Sequence, residues 1–181
     1  MKRRYCVLAA LSAIAPGAFA APTEDADIAR LRLRALLIPL PSVGASDLQD
    51  TYLQARGGGG DGARAHEALD IPARHGTPVL AVEDGRIAKL FLSKPGGRTI
   101  YHFDDAREFA YYYAHLDGYA DGLREGMRVR KGQVIGYVGS TGNAAPESPH
   151  LHFAIFRLGP ERRWWRGTPI NPFGVWVVRQ P

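Results

Sequence analysis

From residue 68 onward, short β-branched and aromatic runs alternate with Gly, Pro and polar punctuation. They are ALDIPA (68–73), TPVLAV (77–82), GRIAKLFL (85–92), RTIYHF (98–103), FAYYYAHL (109–116), MRVRKGQVIGYVG (127–139) and HLHFAIF (150–156). Each piece has strand length, the gaps read as turns, and almost nothing carries a helical period. The pattern predicts one mostly β domain built on antiparallel sheets, with helix confined to a short N-terminal segment. There, SDLQDTYLQA (46–55) is expected as a short helix, because Ser46 and Gln49 have capping-box spacing. LLIPLP (36–41) reads as an extended stretch broken by prolines, and residues 21–35, with their RLRLR alternation, as a polar spacer. RGGGGDG (56–62) has no preceding strand and no Gly-Lys-Ser/Thr ending, so it reads as a plain loop and not a phosphate cradle.

The first twenty residues follow a different logic. Lys2, Arg3 and Arg4 precede an apolar run from Cys6 to Ile14, and the stretch ends in Ala18-Phe19-Ala20. That layout predicts a signal peptide over 1–20 and an exported, periplasmic or secreted protein; the run is too short to span a bilayer. A lead-in segment (21–55) and one domain (56–178) then complete the expected organisation, in about 160 residues. The whole chain carries 23 Lys+Arg against 18 Asp+Glu, a formal +5. Three of those cations and no acid lie in 1–20, so the remainder is only +2. That balance argues against a nucleic-acid partner, and no other segment suggests stable membrane insertion. The single cysteine, Cys6, leaves with the signal, so stability must come from packing or a metal and not from disulfides.

Candidate chemistry lies in the histidines. In HLHFAI the strand period of two sends His150 and His152 to one face. In HEALD, His66 and Asp70 are four apart, and in YYYAHLD, His115 is expected to share a face with Tyr113 and Tyr111. Each alone reads more readily as a structural histidine or cross-strand packing. Two histidines and one carboxylate together make a familiar set for a catalytic zinc with an open position for water. HEALD is not the helical H-E-x-x-H pattern, because position 70 is Asp. His75 and His102 read as surface or structural residues, and Glu67 is expected to point away from its neighbours His66 and Asp70.

These motifs, with VRKGQVIGYVGSTG (129–142) and PHLHF (149–153), resemble in order and spacing the lysostaphin-type (LytM-domain) zinc metallopeptidases, from about residue 56 to INP at 170–172. The resemblance implies a barrel-sandwich-like antiparallel β domain. It implies one Zn2+ per chain held by His66, Asp70 and His152, with His115 and His150 as uncoordinated catalytic histidines. The implied reaction is hydrolysis of peptide bonds in peptidoglycan peptides by a zinc-activated water. Ser140, Thr141 and Asn143 of GSTGN, together with Tyr113, are the candidate substrate contacts. The sequence departs from the family pattern at Ala68, where many relatives have Gly, and at Ala154, where many have an acid able to orient a histidine.

Rival readings are a non-catalytic LytM-domain regulator of another wall hydrolase, and a biotinyl- or lipoyl-carrier hairpin at VRKGQVIGYVG with Lys131 modified. The intact five-residue set opposes the first. The absence of an Asp-Lys or Met-Lys-Met context opposes the second. RRWWRG (162–167) suggests either glycan stacking or membrane contact, with packing by at least one Trp the simpler expectation.

Overall fold

A computed structural model describes residues 23–56 and 64–177. The expected signal peptide and most of the glycine loop lie outside the described residues. Helix α1 (Glu24–Leu33) and a 3-10 turn (Ala45–Asp47) precede eleven strands: β1 (Ala55–Arg56), β2 (Arg64–Ala65), β3 (Leu69–Pro72), β4 (Pro78–Leu80), β5 (Gly85–Ser93), β6 (Gly97–Asp104), β7 (Phe109–Tyr119), β8 (Arg128–Val129), β9 (Val134–Val138), β10 (His150–Leu158) and β11 (Gly167–Ile170). The four-residue helix α2 (Phe173–Trp176) follows. Every strand pairing is antiparallel. The main sheet runs β11-β10-β7-β6-β5-β8; β3 adds to the far side of β10, and β4 joins through β9 to the end of β7. The mostly β, antiparallel architecture expected from the alternating runs is therefore present.

β7 organises the molecule. Its first half lies between β10 and β6, while its last residues pair with β9 through Leu116↔Val138. Register shifts between Arg98/Ile100 and between Leu116/Gly118 bend it there. One face of the sheet packs Phe109, Tyr111, Tyr113, Ile100, Leu151, Phe153 and Ile155 into the core, all without exposed surface. The alternation of the strands thus leaves His150 and His152 on the other face.

Helix placement differs from the sequence expectation. α1 occupies the stretch expected to be a spacer, and 46–55 contains only the single 3-10 turn. Helix α1 buries little beyond Leu31 and so lacks an apolar stripe. Its ends hold it instead: Thr23 Oγ1 accepts from Ala26 N at 3.4 Å, Glu24, Asp25 and Asp27 occupy the first turn, and Arg30 and Arg32 the last. Long-range pairs add to this, with Arg157 on Asp27 at 2.9 Å and Arg32 Nε on Gly174 O at 2.8 Å. After the 3-10 turn the chain is recruited into extended pairing: Glu67 N donates to Tyr52 O and His66 N to Gln54 O, both at 2.9 Å. Tertiary pairing overrides the capping-box signal. Leu31, Leu36, Leu40, Leu48 and Tyr52 all join the core, so the described part of the lead-in is structural.

Trp164 packs against Tyr101 and Phe91, with ring centroids 4.9 and 5.4 Å away, and Trp165 is exposed. Lys131 Nζ donates to the Ala35 carbonyl just beyond α1. Among the described residues, no helix is long and apolar enough to cross a membrane.

Candidate metal centre

The pairing of β3 with β10 sets Asp70 directly opposite His152. Directly opposed antiparallel residues project to one side with neighbouring Cβ atoms, so the two side chains meet by register alone. His66 arrives from the segment before β3. Its Nε2 lies 3.0 Å from His152 Nδ1 and 3.1 Å from Asp70 Oδ1, and His152 Nδ1 lies 3.1 Å from the same oxygen. Three ligand atoms thus form a nearly equilateral triangle on the polar face of the sheet. Among the described residues, this trio is the one group of His, Cys, Asp or Glu whose ligand atoms all lie within 4.8 Å of one another.

The hydrogen-bond partners decide the tautomers. His66 Nδ1 faces Thr51 O at 3.0 Å, a carbonyl that can only accept, so this nitrogen carries the proton and Nε2 presents a lone pair. Thr51 also fixes Asp70: its hydroxyl donates to Ala68 O at 3.2 Å and accepts from Asp70 N at 3.0 Å. Ala68, where the family pattern led to an expectation of Gly, is fully buried. Burial disfavours the charged form of Asp70, but the neighbouring imidazoles of His152 and His66 prevail and hold its carboxyl well below the usual range. His152 is shifted down by burial, against the pull of Asp70.

Two further imidazoles flank the triangle. His115 and His150 have ring centroids 4.9 Å apart, His115 lies 5.5 Å from the His152 ring, and His150 Nε2 is 3.7 Å from Asp70 Oδ1. Each has its Nδ1 against a backbone carbonyl at 2.8 Å: Thr141 O for His115 and Ser148 O for His150. Both Nδ1 atoms are thereby protonated, and both Nε2 atoms are left as proton acceptors. Burial pushes the His115 imidazole down to about 4, partly offset by the Thr141 carbonyl. Carbonyls therefore hold imidazoles where an acid at position 154 would have been expected to do so. Ala154 is itself 1 % exposed and sits opposite Tyr112.

His115 corrects the expectation from alternation. By period two it would share the core face with Tyr113, but its backbone is left-handed, with φ 59°. A left-handed histidine at a bend costs about 1–3 kcal/mol, and here it turns the ring out of the core and onto the polar face. The turn Pro95–Gly96–Gly97 and the loop 139–142 hold that geometry. Thr141 Oγ1 donates to Leu116 O at 2.8 Å and accepts from Arg98 N at 3.0 Å, while Asn143 N donates to Pro95 O at 3.0 Å. Gly97 and Gly142 both have positive φ, and a Cβ on either would strike the other loop.

The candidate substrate contacts separate accordingly. Tyr113 does not reach the site: it has no exposed surface, and its hydroxyl accepts from Val82 N at 3.2 Å and lies 3.3 Å from His102 Nδ1 inside the core. Its neighbour Tyr112 is the tyrosine on the site face, with its ring edge-on to His152 at 5.8 Å. Thr141 uses both its hydroxyl and its carbonyl within the fold. Ser140 is half-buried and Asn143 exposed on the same loop. Glu67 is exposed, with left-handed backbone at φ 56°. His75 lies on the surface beside Asp117.

Sequence reasoning missed Thr51 and Arg56. Arg56 Nη2 donates to Asp70 Oδ2 and lies 3.2 Å from His66 Nε2. Neither residue sits in a periodic pattern; a polar side chain ten to fifteen residues ahead of the first histidine was the only available signal.

The model for peptidase family M23 matches residues 64–172, more than half of the chain. The chain belongs to peptidase family M23. It is 36% identical over 131 residues to an L-Ala--D-Glu endopeptidase of Bacillus subtilis, covering 70% of this chain and 39% of that protein. It is 39% identical over 116 residues to the DD-carboxypeptidase/endopeptidase Mpg of Neisseria meningitidis, covering 62% of this chain and 23% of the relative. The chain thus spans two fifths or less of these curated relatives. Among solved structures, the catalytic domain of lysostaphin from Staphylococcus simulans superposes with a TM-score of 0.56 at 28% identity, over 71% of this chain and 91% of that one. The triangle fits the metal that a metallopeptidase family implies. A lone pair of His66, the Asp70 carboxylate and His152 Nδ1 converge on one point, and edges of 3.0–3.1 Å approach the roughly 3.3 Å expected for tetrahedral zinc ligands.

Proposed function

We propose that the chain is a zinc-dependent endopeptidase that hydrolyses peptide bonds in the stem or cross-link peptides of bacterial peptidoglycan. The observation that carries this reading is the triangle of His66 Nε2, Asp70 Oδ1 and His152 Nδ1 with two further imidazoles beside it. Relatives named for cutting bonds to D-residues support the substrate class, since such bonds are characteristic of bacterial wall peptides. The export pattern of residues 1–20 supports action outside the cytoplasm, in the periplasm or beyond.

His66, Asp70 and His152 would hold the ion. When bound, zinc supplies Lewis acidity that polarises a carbonyl and lowers the pKa of water. The chain's own part is proton handling and orientation. His115 and His150 keep Nε2 available because their Nδ1 protons are committed to the carbonyls of Thr141 and Ser148. One accepts the proton of the attacking water, and either steadies the developing oxyanion or returns a proton to the leaving amine. Burial keeps the His115 imidazole neutral near pH 7, so its Nε2 lone pair is available, and also makes it a weaker base than a free imidazole. Ser140 and Asn143 line the adjoining loop as candidate substrate contacts.

The test is incubation of the purified protein with cell-wall sacculi, with and without a chelator, and mass spectrometry of new amine termini. Chelator-sensitive cleavage at one peptide bond and about one zinc per chain are the expected results. Sacculi left intact by the zinc-loaded protein would sink the enzyme reading in favour of a regulator. Cleavage that survives His66→Ala would sink the ligand assignment.

A further inference from the structure

We propose that Arg56 is a positioning residue for the metal: it holds the outer oxygen of Asp70 so that a single oxygen faces the ion. The proposal rests on the zinc reading above. The two oxygens of Asp70 live in different surroundings. Oδ1 lies 3.1 Å from His66 Nε2, 3.1 Å from His152 Nδ1 and 3.7 Å from His150 Nε2, whereas Oδ2 receives the Arg56 guanidinium. A carboxylate is free to turn about its last torsion, which is broad and two-fold. Without a fixed partner it can present either oxygen, or both. A two-oxygen grip would occupy the position that a catalytic zinc leaves open for water.

Arg56 suits this task better than a mobile surface cation would. The guanidinium is a planar array of donors with no acceptor, so it fixes the direction of a carboxylate as a flexible ammonium does not. Its backbone is indexed to the first ligand. Strands β1 and β2 pair Arg56 with Arg64 and Ala55 with Ala65, and the ladder continues as His66 N donates to Gln54 O at 2.9 Å. The short ribbon that delivers His66 thus delivers Arg56 beside it. Nε of Arg56 is buried with no hydrogen-bond partner among the described residues, so the head group is held there by the ligand cluster and not by a network of its own.

The competing role is that Arg56 occupies the metal position, since Nη2 also lies 3.2 Å from His66 Nε2. The two roles predict opposite signs. Zinc affinity of the intact protein, measured by competition with a chromophoric chelator, is expected to fall about tenfold to a hundredfold in Arg56→Ala. Arg56→Lys, which keeps the charge but not the fork, is expected to recover part of that loss, and Arg56→Gln, which keeps a donor without charge, less. With cobalt in place of zinc, the visible absorption of Arg56→Ala should weaken relative to the unsubstituted protein, as a second carboxylate oxygen raises the coordination number. Far-UV circular dichroism of the metal-free variants controls for folding, and Arg56→Gln serves if the alanine variant does not fold. Unchanged zinc affinity and cobalt spectrum in a folded variant overturn the positioning role. Tighter zinc binding overturns it in favour of competition for His66. Failure of the unsubstituted chain to take up zinc overturns the metal reading itself, and Arg56's role with it.

Discussion

Two polar clusters lie on opposite sides of the sheet, and they handle charge in opposite ways. Behind it, under α1, Arg34 bonds Glu83 at 3.2 Å, Asp104 at 2.9 Å and Glu108 at 2.8 Å. Asp104 also accepts from the backbone of Glu108 and Phe109 at 2.7 and 2.8 Å, and Tyr111 donates to Glu83. Donors and acceptors there are matched, and the network is closed. In front, His66, Asp70 and His152 bring lone pairs together that cannot all be satisfied by one another. A closed cluster stabilises a fold, whereas a convergent one leaves capacity for an external ion. The contrast separates chemistry from scaffolding more sharply than burial does, since both clusters are half-buried or deeper.

The largest effect expected on the convergent side comes from His115. His115→Asn keeps a residue that tolerates left-handed backbone and removes the proton acceptor. Hydrolysis of sacculi should fall by about 10²–10⁴-fold, with about one zinc per chain retained by elemental analysis. Loss of zinc along with activity would place His115 among the ligands and blur the comparison.

On the closed side the same kind of lesion should read out as stability. Arg34→Ala leaves Glu83, Asp104 and Glu108 facing one another and removes the guanidinium from above the Phe109 ring, 4.9 Å away. Removing one partner of such a network costs about 3–5 kcal/mol, measurable by urea unfolding, while activity per folded molecule and zinc affinity stay near those of the parent. A variant with normal stability would show that the network is not closed in the sense argued.

Protonation probes the same side. His102 is buried between Tyr111 and Tyr113, and burial pushes it down from 6.5 to about 4, against the pull of Asp104 and Asp84. The unfolded chain binds this proton first as pH falls. The stability it contributes is therefore full above about 6.5, is lost as pH drops towards 4, and changes no further below that. His115 acts in the same window, and Glu83, raised by burial, acts with the opposite sign. The difference between parent and His102→Gln isolates one group. Between pH 6.5 and 4 the parent should lose about 2–3 kcal/mol more than the variant, read by unfolding at fixed ionic strength. Equal slopes would mean that His102 is solvated.

The contrast also explains what the sequence could show. Strands β5 to β10 were legible because period-two alternation and turn residues are local signals. The pairing of Asp70 with His152 was not, because register is a long-range property, and only the family resemblance placed those residues together. Helix α1 was hidden since its anchorage is ionic and distant, through Asp27 to Arg157 and Arg34 to three acids, with little apolar stripe to detect. His115 was placed on the wrong face because a single left-handed residue inverts the alternation, and no sequence period records that.

Thr51 stands at the seam between the two kinds of cluster, and substituting it gives the smallest and most discriminating effect. Its hydroxyl closes a local network with Ala68 O and Asp70 N, while its carbonyl sets the tautomer that opens His66 Nε2. Thr51→Val removes only the first of these. The lost bonds should cost about 1–2 kcal/mol of stability. Because Asp70 N is then unheld, zinc affinity should also fall by severalfold, while Thr51→Ser preserves both quantities. Stability lost with zinc affinity unchanged would assign the Thr51 hydroxyl wholly to scaffolding. The convergent cluster would then owe its geometry to β3–β10 register and to Arg56, without help from the segment that precedes them.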